Sequence, residues 1–178
     1  MLTVAIKLLT ASLKQRGFQL KAIAIALFLT LIPLSAAHSF EVDGLVSGMA
    51  LEEAKKVLER YSYSKIYVKE NGIRAWDYPE KNTHRMITLI FCKDKLVHLQ
   101  KHLLPGFDHF VRLIDSKRKE LGQPLKSWSQ PTDVALPING NTISFLWKDG
   151  NSIITIAYTA FEKSDQLHIT YEINHQCW

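Results

Sequence analysis

Hydrophobic and polar positions from residue 40 onward follow one order twice, a helical stretch and then four strand-like stretches. The first helical stretch, SGMALEEAKKVLERYSYS, follows a short strand, FEVDGL, and carries apolar residues at helical spacing. Glu52 and Glu53 fall in its first turn, where the helix dipole favours negative charge, and Ser47 or Gly48 is expected to cap it. The side expected to face the core comprises Leu51, Ala54, Val57, Leu58 and Tyr61.

Four strands are predicted after this helix. The segments YSKIYVK and IRAWDY flank Asn71-Gly72, a strong signal for a two-residue hairpin turn. The segments HRMITLIFC and KLVHLQKHL flank Lys93-Asp94, which is typical of a second tight turn. The four segments therefore read as consecutive hairpins.

The second helix is predicted in PGFDHFVRLIDSKRKELG. Gly122 suits the position just after its last turn, and Pro124 ends it. The apolar side comprises Phe107, Phe110, Val111, Ile114 and Leu121.

Four more strands follow this helix: LKSWSQ, NTISFLWK, NSIITIAYTAF and QLHITYEI. Asp149-Gly150 is expected to form the turn between the second and third, and the segment from Pro131 to Asn141 reads as a loop. Strict alternation assigns these side chains to the core: Ile143, Phe145, Trp147, Ile154, Ile156, Tyr158, Leu167, Ile169, Tyr171 and Ile173.

This order predicts an α+β fold of two similar halves, about residues 40–104 and 105–178. Each half is a helix followed by a β-meander, and the antiparallel sheet is covered by the helices. The chain has no low-complexity tract or linker rich in proline and glycine, so residues 38–178 are expected to form a single domain.

The first helix and its approach, GLVSGMALEEAKKVLERY, resemble those of small bacterial envelope proteins built from helix-plus-antiparallel-sheet units. These include the outer-membrane assembly lipoproteins of the SmpA/OmlA type and proteins of the β-lactamase-inhibitor-protein-like fold. The second half, LGQP…FLWKDGNSIITIAY…LHITYEI, is similar to such units as well. The resemblance implies the tandem fold and a habit of binding proteins, and it implies no catalytic residue.

Residues 1–37 have the layout of a signal peptide. Four basic residues precede an apolar run over 22–34, which is short for a membrane span of about 20 residues. Small residues at Ser35, Ala36 and Ala37 predict cleavage before His38, although a retained anchor stays open as an alternative. No cysteine stands at the cleavage region, so a lipoprotein anchor is not expected. The expected location is therefore periplasmic or secreted, with no stable membrane span after cleavage.

Removal of this leader changes the charge balance. Four of the 22 basic residues and none of the 17 acidic ones lie in it, which leaves 18 basic against 17 acidic. A sequence that is close to neutral lacks the main support for a nucleic-acid partner, and none is expected.

The two cysteines are expected to form a disulfide, since cysteines of exported proteins generally pair. The bond between Cys92 and Cys177 would place the end of the last strand beside the third strand of the first half. The alternative is a nucleophilic dyad of Cys177 with His175, which share a face if the chain is extended. No orienting acid or oxyanion-hole motif accompanies this dyad.

The histidines offer a metal-handling or enzymatic alternative. His98 and His102 would form a metal pair on a helix, but on the predicted strand they are about 13 Å apart and would need another partner, such as His109. Cleavage before His38 would leave a histidine at the amino terminus, where amine and imidazole together can bind copper.

One face of the predicted sheet carries side chains typical of recognition surfaces. Tyrosine, tryptophan and arginine concentrate binding energy at interfaces. Alternation places these candidates on the face away from the helices: Tyr63, Tyr67, Arg74, Trp76, Tyr78, His98 and His102. The alternative is that Trp76 and Tyr78 fill the core.

Together these patterns predict an exported, non-enzymatic binding module with a protein partner of the cell envelope or a secreted target. No catalytic residue, metal ligand set or cofactor is assigned. The alternatives are a small metal-handling protein or enzyme that uses His38 or the other histidines, and a small-ligand carrier.

Overall fold

An antiparallel sheet of eight strands dominates the computed structural model, which describes residues 39–77, 85–133, 139–162 and 164–174. All of these belong to one compact unit that spans residues 38–178. The elements, in chain order, are β1 (Glu41–Val42), β2 (Leu45–Val46), α1 (Leu51–Arg60), β3 (Lys65–Lys69), β4 (Gly72–Trp76), β5 (Met86–Cys92), β6 (Lys95–Leu103), α2 (Phe107–Leu121), β7 (Lys126–Asp133), β8 (Asn139–Asp149), β9 (Ser152–Phe161) and β10 (Asp165–Ile173).

The strand order in the large sheet is β3-β4-β5-β6-β10-β9-β8-β7, and every neighbouring pair is antiparallel. Four strands follow each helix, and the last of each four, β6 and β10, are neighbours in the middle of the sheet. The short strands β1 and β2 form a separate hairpin. The α+β class predicted from the sequence is confirmed.

Helix α1 begins at a residue that cannot cap it with its own side chain. The N-cap is Ala50, and its N–H donates to the Glu53 carboxylate over 3.3 Å. The next N–H, of Leu51, donates to Asp94 Oδ1 over 3.1 Å. Because Asp94 belongs to the turn between β5 and β6, the helix start is fastened to the sheet by a residue distant in sequence.

The expectation that Ser47 or Gly48 caps α1 is wrong. Ser47 Oγ instead accepts hydrogen bonds from the N–H groups of Ser39 and Phe40, at 2.7 and 3.3 Å. This hydroxyl therefore fastens the chain that leads into β1, and it is not available to the helix.

Helix α1 packs on the β3–β6 side of the sheet. Ala54, Val57 and Leu58 are buried there, as predicted, whereas Tyr61 is 45% exposed because the helix has already ended at Arg60. The buried cluster comprises Phe40, Leu45, Ala54, Val57, Leu58, Ile73, Ala75, Ile87, Leu89, Phe91, Leu96 and Leu99.

Helix α2 packs on the β7–β10 side through a narrower stripe than predicted. Phe110 and Ile114 are buried, but Phe107 and Val111 are 54% and 47% exposed. On a helical wheel, Leu113 extends the buried stripe on the side away from these two residues, so they lie at its margin. The buried cluster comprises Phe110, Ile114, Trp147, Ile154, Ile156, Tyr158, Leu167 and Ile169, with Ile143, Phe145 and Tyr171 packed against it.

The turn at Lys93-Asp94 is confirmed, and both residues have positive φ, 49° and 59°. This conformation matches the twist of a two-residue hairpin. In the hairpin of β8 and β9, Asp149 pairs with Ser152, so the turn consists of Gly150 and Asn151, one position later than predicted.

The first hairpin turn is also shifted by one residue. Lys69 pairs with Gly72, so the turn is Glu70 and Asn71, and Gly72 is the first residue of β4. A Cβ atom at Gly72 would lie 3.1 Å from the carbonyl oxygen of Leu89 on β5. A larger residue would therefore crowd the neighbouring strand, which favours glycine at this position.

The segment predicted as a loop from Pro131 to Asn141 is largely strand. Strand β7 continues to Asp133 and β8 begins at Asn139, with Pro131 opposite Asn141. Proline is tolerated here because β7 is an edge strand and needs ladder hydrogen bonds on one side only. Within the four described ranges, no helix has the length and apolar character of a membrane span.

Candidate functional site

The two faces of the large sheet differ in what covers them. Tyr171 of β10 packs against both buried clusters, and it lies opposite Leu99 of the first cluster and two positions from Ile169 of the second, so α1 and α2 lie on one face. We call the opposite face the open face, since no described helix packs on it. The strand register places on it, among others, Lys65, Tyr67, Lys69, Arg74, Trp76, Met86, Thr88, Ile90, His98, Gln100, His102, Lys126, Leu146, Lys148, Thr155, His168, Thr170 and Glu172.

Five of the seven residues predicted for a recognition face lie on the open face. Tyr67 on β3 is directly opposite Arg74 on β4, and Trp76 follows two positions later. His98 and His102 lie on β6. Tyr67 is 54% exposed and Arg74 is exposed, whereas Trp76 is half-buried. The alternative that Trp76 fills the helix-side core is not what the structure shows.

The prediction for Tyr63 is wrong. It precedes β3 and packs against the helix-side cluster, where it is half-buried. The Arg85 guanidinium lies over its ring, 4.2 Å from the centroid, and donates to the carbonyl oxygen of Tyr61. Tyr78, the remaining predicted residue, lies outside the described residues.

A cavity of about 440 Å³ opens where the ends of β4, β5, β6 and β10 meet at the edge of the open face. A smaller groove of about 250 Å³ lies beside it over β3, β4 and β5, and the two share Arg74 and Trp76. The cavity is lined by Arg74, Trp76, Asp77, Arg85, Met86, His102, Leu103, Pro105, Ser164, Asp165, Gln166 and Leu167.

Both carboxylates of the cavity lining are bound by neighbouring groups. Asp77 forms an ion pair with Arg85 at 3.5 Å. Asp165 accepts a hydrogen bond of 2.6 Å from the Tyr158 hydroxyl, which raises the pKa of Tyr158 to about 12. Among the described residues, Arg74 has no hydrogen-bond or ion-pair partner. The charge that the described residues of the cavity offer to a ligand is therefore the positive charge of Arg74.

Two cross-strand pairs mark the middle of the open face, where β6 meets β10. The rings of His102 and His168 are 5.7 Å apart, and His98 Nδ1 lies 3.7 Å from Glu172 Oε2. Sequence reasoning missed His168 and Glu172. Alternation with the core residues of QLHITYEI would have placed both on this face. It gives no indication, however, that their strand pairs with β6.

No relative was found from which the role of these residues could be inferred. Comparison with protein-family models, with curated proteins and with solved structures gave no match. The function is therefore inferred from the contacts of the described residues.

The described residues provide no evident metal centre. No group of three or more histidine, cysteine, aspartate or glutamate side chains in the four described ranges could hold a metal ion. His98 and His102 lie on a strand, as predicted, and His109 Nδ1 lies 2.9 Å from the carbonyl oxygen of Leu104. His38 lies outside the described residues.

Cys92 ends β5 and is half-buried. The described part of the chain contains no free cysteine. The expected partner of Cys92 is Cys177, which lies outside the described residues together with His175. The disulfide between Cys92 and Cys177 therefore stays a prediction. The last strand does not pair with β5, because β6 lies between β10 and β5, and the chain end that was expected to lie beside β5 is outside the described residues.

His168 is expected to make stability depend on pH. Burial, and then the charge of His102, lowers its pKa from 6.5 to about 4, and its Nδ1 has no hydrogen-bond partner. As the pH falls, His168 is therefore protonated at a higher pH in the unfolded chain than in the folded one. The free energy of unfolding should decrease as the pH drops from 6.5 towards 4. Allowing for partial solvent access, we expect a loss of about 1–2 kcal/mol.

Chemical denaturation across this pH range measures the effect. His168→Gln removes the titrating group, and its stability should change less with pH than that of the unmodified protein. Identical pH profiles for the two proteins would contradict the assignment.

Proposed function

We propose that this protein is an exported binding module that recognises another protein through the open face, in the bacterial envelope or outside the cell. One observation carries the proposal: Tyr67, Arg74 and Trp76 adjoin one another on the sheet face that no described helix covers. Side chains of these three types dominate the energetics of protein interfaces. An uncovered sheet face with such residues is typical of an interaction surface.

The shape of this region supports recognition. Trp76 is half-buried, so its ring is held in place as part of the cavity wall, whereas Tyr67 projects to solvent. Lys69 Nζ lies 5.7 Å from the centroid of the Tyr67 ring. Held aromatic rings lose little conformational entropy on binding, and a cavity next to them can accept a side chain of the partner.

Export is part of the proposal. Residues 1–37 would act as a signal peptide, and Cys92 and Cys177 would pair in the oxidising compartment beyond the membrane. A partner would then be met in the periplasm or in the medium. The function would need no cofactor.

The proposal also holds that the two halves are similar structural repeats, as in tandem units of the β-lactamase-inhibitor-protein-like kind. The order helix and four strands occurs twice, and the final strands β6 and β10 are adjacent. The open face would then be one surface to which both halves contribute.

A small-ligand carrier is the second candidate, and the cavity favours it. A volume of about 440 Å³ lies within the range of small-molecule sites. The carrier hypothesis differs from protein recognition in requiring no large contact surface beyond the cavity.

Site-specific photocrosslinking tests protein recognition. A photoreactive phenylalanine derivative at Tyr67 is expected to give a covalent protein adduct in cells that export the protein. The same derivative at Lys119, which is exposed on α2, should not give this adduct. Adding Trp76→Ala should reduce the yield of the Tyr67 adduct about tenfold or more. No protein adduct from Tyr67, or the same adduct from both positions, would contradict the proposal.

A further inference from the structure

We infer that the partner presents an acidic protein surface to the open face and inserts a carboxylate side chain into the cavity, where it pairs with Arg74. This inference rests on the proposed function and adds the chemistry of the partner. Three observations carry it: the charge of the open face, the one available charge in the cavity, and the apolar wall beside that charge.

Basic side chains outnumber acidic ones at the strand positions of the open face. Strand alternation places there the residues Lys65, Lys69, Arg74, Lys126 and Lys148, and Glu172 is the acidic residue at its strand positions. The sequence from residue 38 onward has 18 basic and 17 acidic side chains. The positive charge of this face is therefore a local arrangement, and it would attract an acidic partner and orient its approach.

Among the described residues that line the cavity, one positive group is left to bind a ligand. Asp77 and Asp165 are held by Arg85 and Tyr158, so they do not neutralise Arg74. A planar guanidinium without a partner can bind a carboxylate through two parallel hydrogen bonds. The partial enclosure of the cavity strengthens such a pair relative to one at the open surface.

The apolar part of the lining fits the stem of an acidic side chain. Trp76, Met86 and Leu167 contribute to the cavity wall beside Arg74. A glutamate side chain could place its methylene groups against these residues while its carboxylate meets the guanidinium. This combination favours an amino-acid side chain over an inorganic anion, which offers no apolar stem.

The same features disfavour a nucleic acid. A nucleic acid is bound mainly through successive phosphates, which need a continuous row of basic side chains. On the open face the basic side chains are divided between the two edges of the sheet, with Lys65, Lys69 and Arg74 on β3 and β4 and Lys126 and Lys148 on β7 and β8. We therefore assign the face to an acidic protein surface, and the oligonucleotide becomes a control.

The test uses the full exported chain and a synthetic dodecapeptide of alternating glutamate and glycine. Titration is followed by NMR, which detects weak binding and locates it. We expect shifts of the Trp76 indole N–H and of backbone amides near Arg74. Arg74→Gln should weaken binding about tenfold, as for loss of a charge-assisted pair. The matched control is Arg112→Gln, which removes an exposed arginine on α2 and should change affinity less than about twofold.

Several results would overturn the inference. These are equal losses in the two arginine variants, equal binding of a glutamine–glycine peptide, or tighter, Arg74-dependent binding of a single-stranded oligonucleotide of the same length. Unchanged thermal unfolding of Arg74→Gln excludes misfolding as the cause of a loss.

Photocrosslinking from Tyr67 separates this inference from the proposed function. If Arg74→Gln leaves the Tyr67 adduct unchanged while Trp76→Ala removes it, the face still recognises a protein but the acidic anchor is wrong. If no protein adduct forms at all, protein recognition itself fails, whatever the peptide does.

Discussion

Replacing Trp147 with alanine is expected to lower the free energy of unfolding by about 4 kcal/mol. The side chain is 1% exposed, and it is among the largest that are fully buried. Its indole Nε1–H donates to the carbonyl oxygen of Gly122 over 3.0 Å, so it also joins β8 to the end of α2. Truncation leaves a cavity and an unpaired carbonyl group at the same place. Urea denaturation followed by far-ultraviolet circular dichroism measures the loss.

Trp147→Phe serves as the control for this experiment. It keeps most of the buried area but removes the indole donor, so it should cost less than half as much as alanine. Two variants of equal stability would contradict the packing role assigned to the ring. Trp128→Ala, which removes a half-buried side chain of edge strand β7, should cost less than either because less packing is lost.

The second large effect is expected from the proposed disulfide. A bond between Cys92 and Cys177 closes a loop of about 85 residues, and the chain-entropy relation then assigns it about 4 kcal/mol. The double variant Cys92→Ser and Cys177→Ser should lose this stability in chemical denaturation under non-reducing conditions. Adding a reductant should lower the stability of the unmodified protein to that of the variant.

Intact-mass measurement with and without alkylation provides the control. The purified exported protein should take up no alkylating reagent until it is reduced. Alkylation of Cys177 in the native protein would show that the bond is absent. Equal stability with and without the two cysteines would also contradict the prediction.

Local patterns in the sequence were sufficient to predict most of the fold. Alternation and turn signals located both helices and the strands of the large sheet, and the Lys93-Asp94 turn was correct in position. The errors lie where a local pattern is compatible with two arrangements. The apolar pattern of α2 includes Phe107 and Val111, but only packing against the sheet decides how wide the buried stripe is.

The candidate site was less predictable because it depends on contacts between distant residues. Alternation placed Tyr67, Arg74 and Trp76 on one face, and this is correct. No local signal indicates that β6 pairs with β10, which brings His102 beside His168. The cavity depends equally on that pairing, since its lining combines residues of β4 and β5 with residues of β10.

The two edges of the large sheet limit how a partner can approach. Strand β3 is five residues long with a lysine at each end, and β7 carries Pro131 within its length. Short, charged or proline-containing edges discourage the addition of a further strand from another chain. The protein can thus expose a broad sheet surface at high concentration without polymerising edge to edge, and a partner is directed to its side chains instead of its backbone.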